Sequence, residues 1–426
     1  MNILIIADDL SGAADCAIGF ASAGLQTVVT LDALNDQPDA QVIAADTDTR
    51  RLSPEQAAER TVAAFKALRK PGQRLYKKID STLRGNWAAE VAALQPLAGL
   101  AIVAPAFPAT GRTLRGGRVF VNGQQLETTD TWKLENADRP ADVESMLVAA
   151  GLSTAKLDLD TLRGNPDALA HYFAELARSD TQAVIVDAQT EDDLLTLARF
   201  TATLDQALFW IGSGGLAREI AQLPDFFLAS NQRIESTDSE KNPASTLVMV
   251  GSLSGVCERQ CTVLKAQAGL SELIVPPAVL RQGSKHPDWA TWQARIGEQL
   301  EGWSDLLLRI GRDEAFNPQE GAHLSTMLAE MVEPHFTKVG GLIATGGETA
   351  RAILTTVGID SLQLLAEVEA GVAFGRPCAS RHGYRPAIIT KAGAFGTDRA
   401  LYAAWQHLSD INDRSQLQRP RIQGLE

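Results

Sequence analysis

Asn2-Ile3-Leu4-Ile5-Ile6-Ala7-Asp8-Asp9-Leu10-Ser11-Gly12 is the most informative run in the chain. Its apolar core is short and closed by two carboxylates, which reads as a buried strand, and the pattern around Ala13–Ala23 reads as a helix. Strand, loop and helix together make a βα unit, and the same rhythm continues outward. Strands are expected at Thr27–Leu31 and Gln41–Ala45; Ser53-Pro54-Glu55 then opens a helix through an N-cap serine and an N1 proline, carried on from Ala57 to Leu68. Further strands are expected at Arg74–Lys78, Leu100–Ala104 and Ala183–Asp187. Leu208–Gly212 runs into Ser213-Gly214-Gly215 and a helix over Leu216–Ala221. Alternating strands and helices specify an α/β fold with largely parallel sheets flanked by helices.

A polar, proline-bearing stretch, SNQRIESTDSEKNPAS, interrupts the rhythm at 230–245, and the strand Thr246–Val250 restarts it. The expected organisation is therefore a first domain at 1–229, a linker at 230–245 and a second domain at 246–426. In the second domain one theme occurs three times without a fixed period, which excludes a solenoid. Leu247–Val250 leads into Gly-Ser-Leu-Ser-Gly, Gly341–Ala344 into Thr-Gly-Gly-Glu-Thr, and Ala387–Thr390 into Lys-Ala-Gly-Ala-Phe-Gly.

With 426 residues, 45% of them hydrophobic and 21% charged, the chain has the composition of a folded protein large enough for two cores. A net charge of −13 repels polyanions, so nucleic acid and anionic membrane surfaces are not expected partners. No apolar stretch approaches the roughly 20 residues that span a bilayer, and the first residues lack a signal-peptide pattern. The expected location is the cytoplasm. Cys16, Cys257, Cys261 and Cys378 form no CxxC pair, and the i, i+4 spacing of Cys257 and Cys261 suits one buried helix face. His286, His323, His335 and His382 lack metal-ligand spacing, and the metal ligands are left unassigned.

In parallel α/β sheets ligands gather beyond the carboxyl ends of the strands, where helix N-termini present free amides to phosphate. Ser252, Gly346, Gly347, Glu348, Thr349, Gly393 and Gly396 occupy such positions and read as a nucleotide pocket, with Lys391 either a phosphate contact or a plain strand-end lysine. Neither a GxxxxGK[ST] loop nor a GxGxxG fingerprint after the first strand is present, so a P-loop enzyme and a dinucleotide enzyme are both disfavoured. The first domain's loops are charged instead. Asp8-Asp9 pairs carboxylates that could hold hydroxyls, hold magnesium, take a proton or cap a helix, the cap falling to Asp9 or Ser11. The run Lys77 to Gly85 packs three cations with Asp80, Ser81 and Thr82, while Arg50 and Arg112 add planar guanidinium groups suited to a carboxylate. Local positive charge in an acidic chain points to a small acidic metabolite.

Taken in order, ADDLSGAAD, DTDTRRLSPEQA, KKIDSTLRGN, APAFPATGR with VFVNGQQLETTD, GSGGLA, GSLSG, ATGGETARAIL and KAGAFG resemble the four-carbon acid sugar kinase family over nearly the whole chain. The resemblance implies a substrate-binding first domain and an ATP-binding second domain meeting at an interdomain cleft. It implies transfer from ATP with Mg2+ to the C4 hydroxyl of D-threonate, D-erythronate or a 3-oxo-tetronate. Asp9 in ADDLSG, Arg50 in TDTR, and Lys78, Asp80, Ser81 and Thr82 in KKIDST match the family's substrate-side motifs. Ser252 in GSLSG, Gly346 to Thr349 in TGGET and Gly393 in KAGAFG match its ATP-side motifs. Asp80 is the first choice for orienting or deprotonating the hydroxyl and Asp9 the second, with Arg50 and Lys78 on the acid's carboxylate. After VNG the chain reads ETTDTWKLENADRPADVESML where the 3-oxo-tetronate branch carries a histidine- and proline-containing stretch, which favours D-threonate, then D-erythronate. A nicotinamide oxidoreductase and a non-catalytic sugar-acid sensor are the alternatives from other classes, and a homodimer is compatible with this reading. The apolar face Leu401–Leu408 serves either core or interface.

Overall fold

The computed structural model of the chain describes residues 2–36, 38–136, 140–223, 245–302, 304–315, 317, 320–379, 385–393 and 395–417. It forms two compact units, Met1–Ser230 and Asn231–Glu426. Of the expected 230–245 linker only Ser245 is described, and it begins a strand.

The first unit holds β1 (Asn2–Ala7), β2 (Thr27–Thr30), β3 (Val42–Asp46), β4 (Gln73–Lys78), β5 (Leu100–Ala104), β6 (Arg112–Arg115), β7 (Arg118–Val121), β8 (Gln124–Gln125), β9 (Thr154–Leu157), β10 (Ala183–Val186) and β11 (Leu208–Gly212). Eight of them align as β2-β3-β1-β4-β11-β5-β10-β9, every neighbouring pair parallel. Because β2 and β3 lie on one side of β1 and β4 on the other, the chain reverses its direction across the sheet at β1/β4. That switch point is where the carboxyl ends of an open α/β sheet leave a crevice for a ligand.

Local chemistry sets the element ends. The first helix runs Leu10–Ser22, starting earlier than the apolar pattern suggests, because extended Asp9 caps it by accepting the Gly12 amide at 2.9 Å. Asp9 rather than Ser11 is thus the cap, a role worth about 1 kcal/mol. The helix Pro54–Leu68 opens as expected, with Ser53 and Gln56 in a reciprocal capping box. β10 stops at Val186 because the Asp187 carboxylate turns aside to accept the Gly116 and Gly117 amides at 2.6 and 3.0 Å. These glycines form the turn of a three-stranded antiparallel ribbon, β6-β7-β8, that the alternating βα pattern does not announce.

The second unit holds β12 (Ser245–Val250), β13 (Ser271–Val275), β14 (Leu306–Ile310), β15 (Val339–Thr345), β16 (Ser361–Glu369), β17 (Val372–Pro377) and β18 (Ala387–Lys391), aligned β13-β14-β12-β15-β18-β17-β16. The strands from β13 to β18 in this order pair in parallel, and the β16–β17 hairpin adds an antiparallel border. Here the switch point falls at β12/β15. Cys257, Cys261 and Leu264 of the helix Gly255–Ala268 join Leu401, Ala404 and Leu408 of the helix Ala400–Leu417 against Val248, Ile343 and Ile389. The cysteine pair and the Leu401–Leu408 face are therefore core.

Candidate active site

Three loops converge at the first unit's switch point. Asp8 and Asp9 follow β1, Arg50 follows β3, and Asp80 to Arg84 follow β4. Arg50 donates from Nε to Asp8 Oδ2 at 2.9 Å and from Nη2 to Asp8 Oδ1 at 2.8 Å, while its Nη1 donates to Asp9 Oδ2 at 3.1 Å. Its Nη2 also lies 3.8 Å from Asp80 Oδ2. Asp80 accepts from the Thr82 amide at 2.8 Å, from the Thr82 hydroxyl, and from Arg84 Nη2 at 2.7 Å. Burial alone would raise the Asp80 pKa, but Arg84, Arg50 and the Thr82 hydrogen bond hold it well below the usual carboxylate range. Asp8 behaves alike, with burial opposed by the charge and hydrogen bonds of Arg50 and by Lys77 and Lys78. Gly85, at φ 83°, completes the fit, since a Cβ there would lie 2.9 Å from Asp8 Oδ2.

Lys78 differs from these cations. It is 5% exposed, and among the described residues its ammonium has no hydrogen-bond or ion-pair partner. The space above Gly12 separates it from Asp9: a Cβ placed on that glycine would be 3.0 Å from Lys78 Nζ and 2.4 Å from Asp9 Oδ1. A buried cation with no hydrogen bond or close ion pair, its charge met only by the more distant Asp8, is costly unless an anion comes to it. Ser81 and Thr82 are buried beside Asp80. Arg112 donates from Nη1 to Thr110 O at 2.7 Å; burial lowers its pKa, helped by Arg84 and opposed by the attraction of Asp80 and Asp15.

The sequence candidates Asp9, Arg50, Lys78, Asp80, Ser81 and Thr82 come together here with Asp8 and Arg84 of the same charged runs, while two further contributors, Asn86 and Glu90, have no role in the sequence reading. Asp8 and Arg84 stand in the quoted motifs and pair with Arg50 and Asp80 at 2.8 and 2.7 Å. Asn86 and Glu90 belong to the helix Trp87–Ala98 and its cap, where nothing in their spacing marks them.

In the second unit the glycine-rich loops follow β12, β15 and β18. Ser254 caps the helix Gly255–Ala268 by accepting the Cys257 amide at 3.2 Å and donates to Gly393 O at 3.2 Å, while Ser252 Oγ donates to Ser254 Oγ at 3.2 Å. Gly393 must be glycine to sit there, because a Cβ would lie 2.6 Å from Ser252 Oγ. Gly346, at φ 98°, donates its amide to Lys391 O at 2.8 Å and precedes the helix Gly347–Thr356, whose first turn carries Glu348 and the buried Thr349. Among the described residues no side chain caps that helix, whose N-terminus is the kind of helix start that takes a phosphate. Lys391 is buried, and its ammonium donates to Ala392 O at 2.8 Å and Phe395 O at 2.9 Å. Burial lowers its pKa. It shapes the loop that runs on to Gly396, which is exposed. Among the described residues no cluster of three or more His, Cys, Asp or Glu side chains is arranged to hold a metal ion, and no helix is long and apolar enough to cross a membrane.

A cluster of cations and carboxylates at one switch point and glycine-rich strand-to-helix loops in the other unit are the features expected of a phosphotransferase of small acids. Residues 3–220 match the sugar-binding N-terminal domain model and residues 247–401 the nucleotide-binding C-terminal domain model. The D-threonate kinase of Cupriavidus necator is 51% identical over 413 residues, covering 96% of this chain and 99% of that protein. The D-threonate kinase of Bordetella bronchiseptica is 32% identical, covering 95% and 97%. A solved Salmonella typhimurium structure shares the fold at TM-score 0.77 and 21% identity, over 95% of this chain and 99% of that one. The chain belongs to the four-carbon acid sugar kinase family. It is a kinase, and the family's kinase activity implies ATP as phosphoryl donor.

Proposed function

We propose that the chain transfers the γ-phosphoryl group of ATP to the C4 hydroxyl of D-threonate, giving D-threonate 4-phosphate, with D-erythronate the next acceptor. The observation that carries the acid half of this reading is Lys78, a buried ammonium left for an incoming anion beside two loops of ordered carboxylates. The similarity to two D-threonate kinases supports the choice of acid.

In this reading Lys78 and Arg112 take the substrate carboxylate, and Arg50 serves chiefly to hold Asp8, Asp9 and Asp80 in register. Asp80 keeps its negative charge and, fixed by Arg84 and Thr82, is a better hydrogen-bond acceptor for the sugar hydroxyls than a proton acceptor. Asp9 is half-buried, with Oδ1 on the helix amide and Oδ2 on Arg50, and is the carboxylate left to align the C4 hydroxyl and receive its proton. The new bond joins the C4 oxygen to γ-phosphorus as the bond to the β-phosphate oxygen breaks, and ADP leaves with that electron pair. Such transfers depend mostly on positioning and charge neutralisation. ATP brings Mg2+ on its phosphates, and the amides at Gly347 to Thr349, with Gly346 setting the turn and Ser252 and Gly393 beside it, hold the nucleotide phosphates.

The test is an ADP-release assay with Mg-ATP against D-threonate, L-threonate, D-erythronate, L-erythronate and the 3-oxo-tetronates. Turnover concentrated on D-threonate is expected. Turnover confined to another acid moves the substrate assignment, and ATP binding without turnover on any acid removes the four-carbon substrate.

A further inference from the structure

The cluster described above depends on Arg50 being delivered at one angle, and its loop has a foundation that the proposed chemistry does not use. Lys77 and Glu90 form an ion pair at 2.8 Å with both side chains fully buried. Lys77 is further tied to Ile6 O at 3.4 Å and Lys78 O at 3.3 Å, so Glu90 is fixed against the ends of β1 and β4. The other Glu90 oxygen accepts the Thr49 hydroxyl. Thr49 Oγ1 lies 3.0 Å from Thr47 Oγ1, which donates to Ala7 O at 2.8 Å. Asn86 stands at the cap position of the helix Trp87–Ala98 without capping it. Its Nδ2 instead donates outward to Thr49 O at 3.1 Å and Leu52 O at 2.8 Å, on both sides of Arg50. Between the two threonines Asp48 is left-handed, at φ 48°, and its amide donates to Asp46 Oδ1 at 2.9 Å, which turns the chain between them.

We infer that Asn86 and Glu90 are positioning residues: through Thr49 and Leu52 they hold the 47–52 loop so that Arg50 meets Asp8, Asp9 and Asp80 together. The inference rests on the acid-kinase reading for its kinetic consequence, though the clamp itself does not. A pair buried so deeply could serve the fold alone, and that role would lower stability while affecting both substrates equally. Specific positioning acts on the acid side only.

Steady-state kinetics of the full chain with D-threonate and ATP, run on Thr49→Val, Thr49→Ser and Asn86→Ala, separate these roles without leaving a buried charge unpaired. Thr49→Val and Asn86→Ala are expected to raise the KM for the acid about tenfold, as the loss of one or two buried hydrogen bonds does, with the KM for ATP held within about twofold. Thr49→Ser, which keeps the hydroxyl, restores the wild-type value. An unchanged acid KM in both variants, or equal rises in both KM values, overturns the inference. If the wild-type chain turns over no four-carbon acid, the kinase substrate is wrong and hydrogen exchange decides the clamp. Amides 49–52 then exchange faster in Thr49→Val and Asn86→Ala than in wild type, and unchanged protection overturns it.

Discussion

Replacing Lys78 with Met removes one charge and little volume at the point where the first unit offers a cation to an incoming anion. Because the ammonium has no internal hydrogen-bond or ion-pair partner among the described residues, the substitution orphans no buried group. The thermal midpoint is therefore expected to stay within about 3 °C of wild type. A charge-assisted hydrogen bond to a carboxylate is worth about 1.5–3 kcal/mol, which predicts a KM for D-threonate raised about 10- to 150-fold. The decisive assay pairs this acid with threitol, the uncharged polyol carrying a hydroxymethyl group in place of the carboxylate, under saturating ATP. If Lys78 reads the carboxylate, Lys78→Met penalises D-threonate and leaves the weak turnover of threitol nearly unchanged, and the difference between the two penalties is the coupling. An equal penalty on both compounds, or a penalty borne by ATP, refutes the reasoning.

The remaining predictions address the neighbours. Asp9→Asn keeps the helix cap but turns an amide toward Arg50 Nη1, which Asp9 Oδ2 meets at 3.1 Å, so kcat should fall at least about tenfold with a lowered thermal midpoint; Asp9→Ala, which loses the cap as well, should cost about 1 kcal/mol more, read by denaturant unfolding. Asp80→Asn should lower kcat with the KM for ATP within about twofold, and unchanged turnover would remove Asp80 from the reaction. Gly393→Ala drives a Cβ toward Ser252 Oγ, 2.6 Å away, and should raise the KM for ATP while sparing that of the acid. Asp8 and Asp80 titrate lower in the folded chain than in the unfolded one. Their contribution to stability is whole above the unfolded carboxylate pKa of about 3.9 and is lost as pH falls through the lower folded values. Arg50→Ala, which leaves the buried Asp8 without its partner, should lie furthest below wild type near neutrality and converge with it in acid. A constant gap across a thermal-midpoint series from about pH 7 to about pH 3 contradicts this.

Where a strand is buried on both faces, its run of apolar residues shows in the sequence, and β1, β5, β11 and β12 fall within a residue of their expected bounds. β9 and β13 lack that signal because they are partly exposed, and β16 because it leaves the core midway. The reading also passes over β14, although its run Leu-Leu-Leu-Arg-Ile is apolar enough to be found. Residues at the ends of parallel strands were legible because the fold sends such residues to a switch point whatever their identity. What each side chain then does was not. Lys391 occupies the expected strand end, yet its ammonium turns back to the carbonyls of Ala392 and Phe395, which a place at a strand end does not foretell. Glu90 sits among alanines on a helix, and a glutamate buried to satisfy a lysine looks in sequence like one facing water.

Lys77 and Lys78 are adjacent in sequence and lie on opposite faces of β4, one locked to Glu90 and the other standing over Gly12. Strand side chains alternate with a period of two, so inserting or deleting a single residue before them exchanges their surroundings. The cation proposed to meet the acid would then be sealed in the core and the structural one turned to the other face. Length changes in the 69–72 turn are consequently tolerable only if β4 keeps its alignment with β1. The same alternation makes the pair chemically unequal: an amine-modifying reagent small enough to enter the substrate space should reach Lys78 and be blocked by bound acid, while Lys77 reacts only once the unit unfolds.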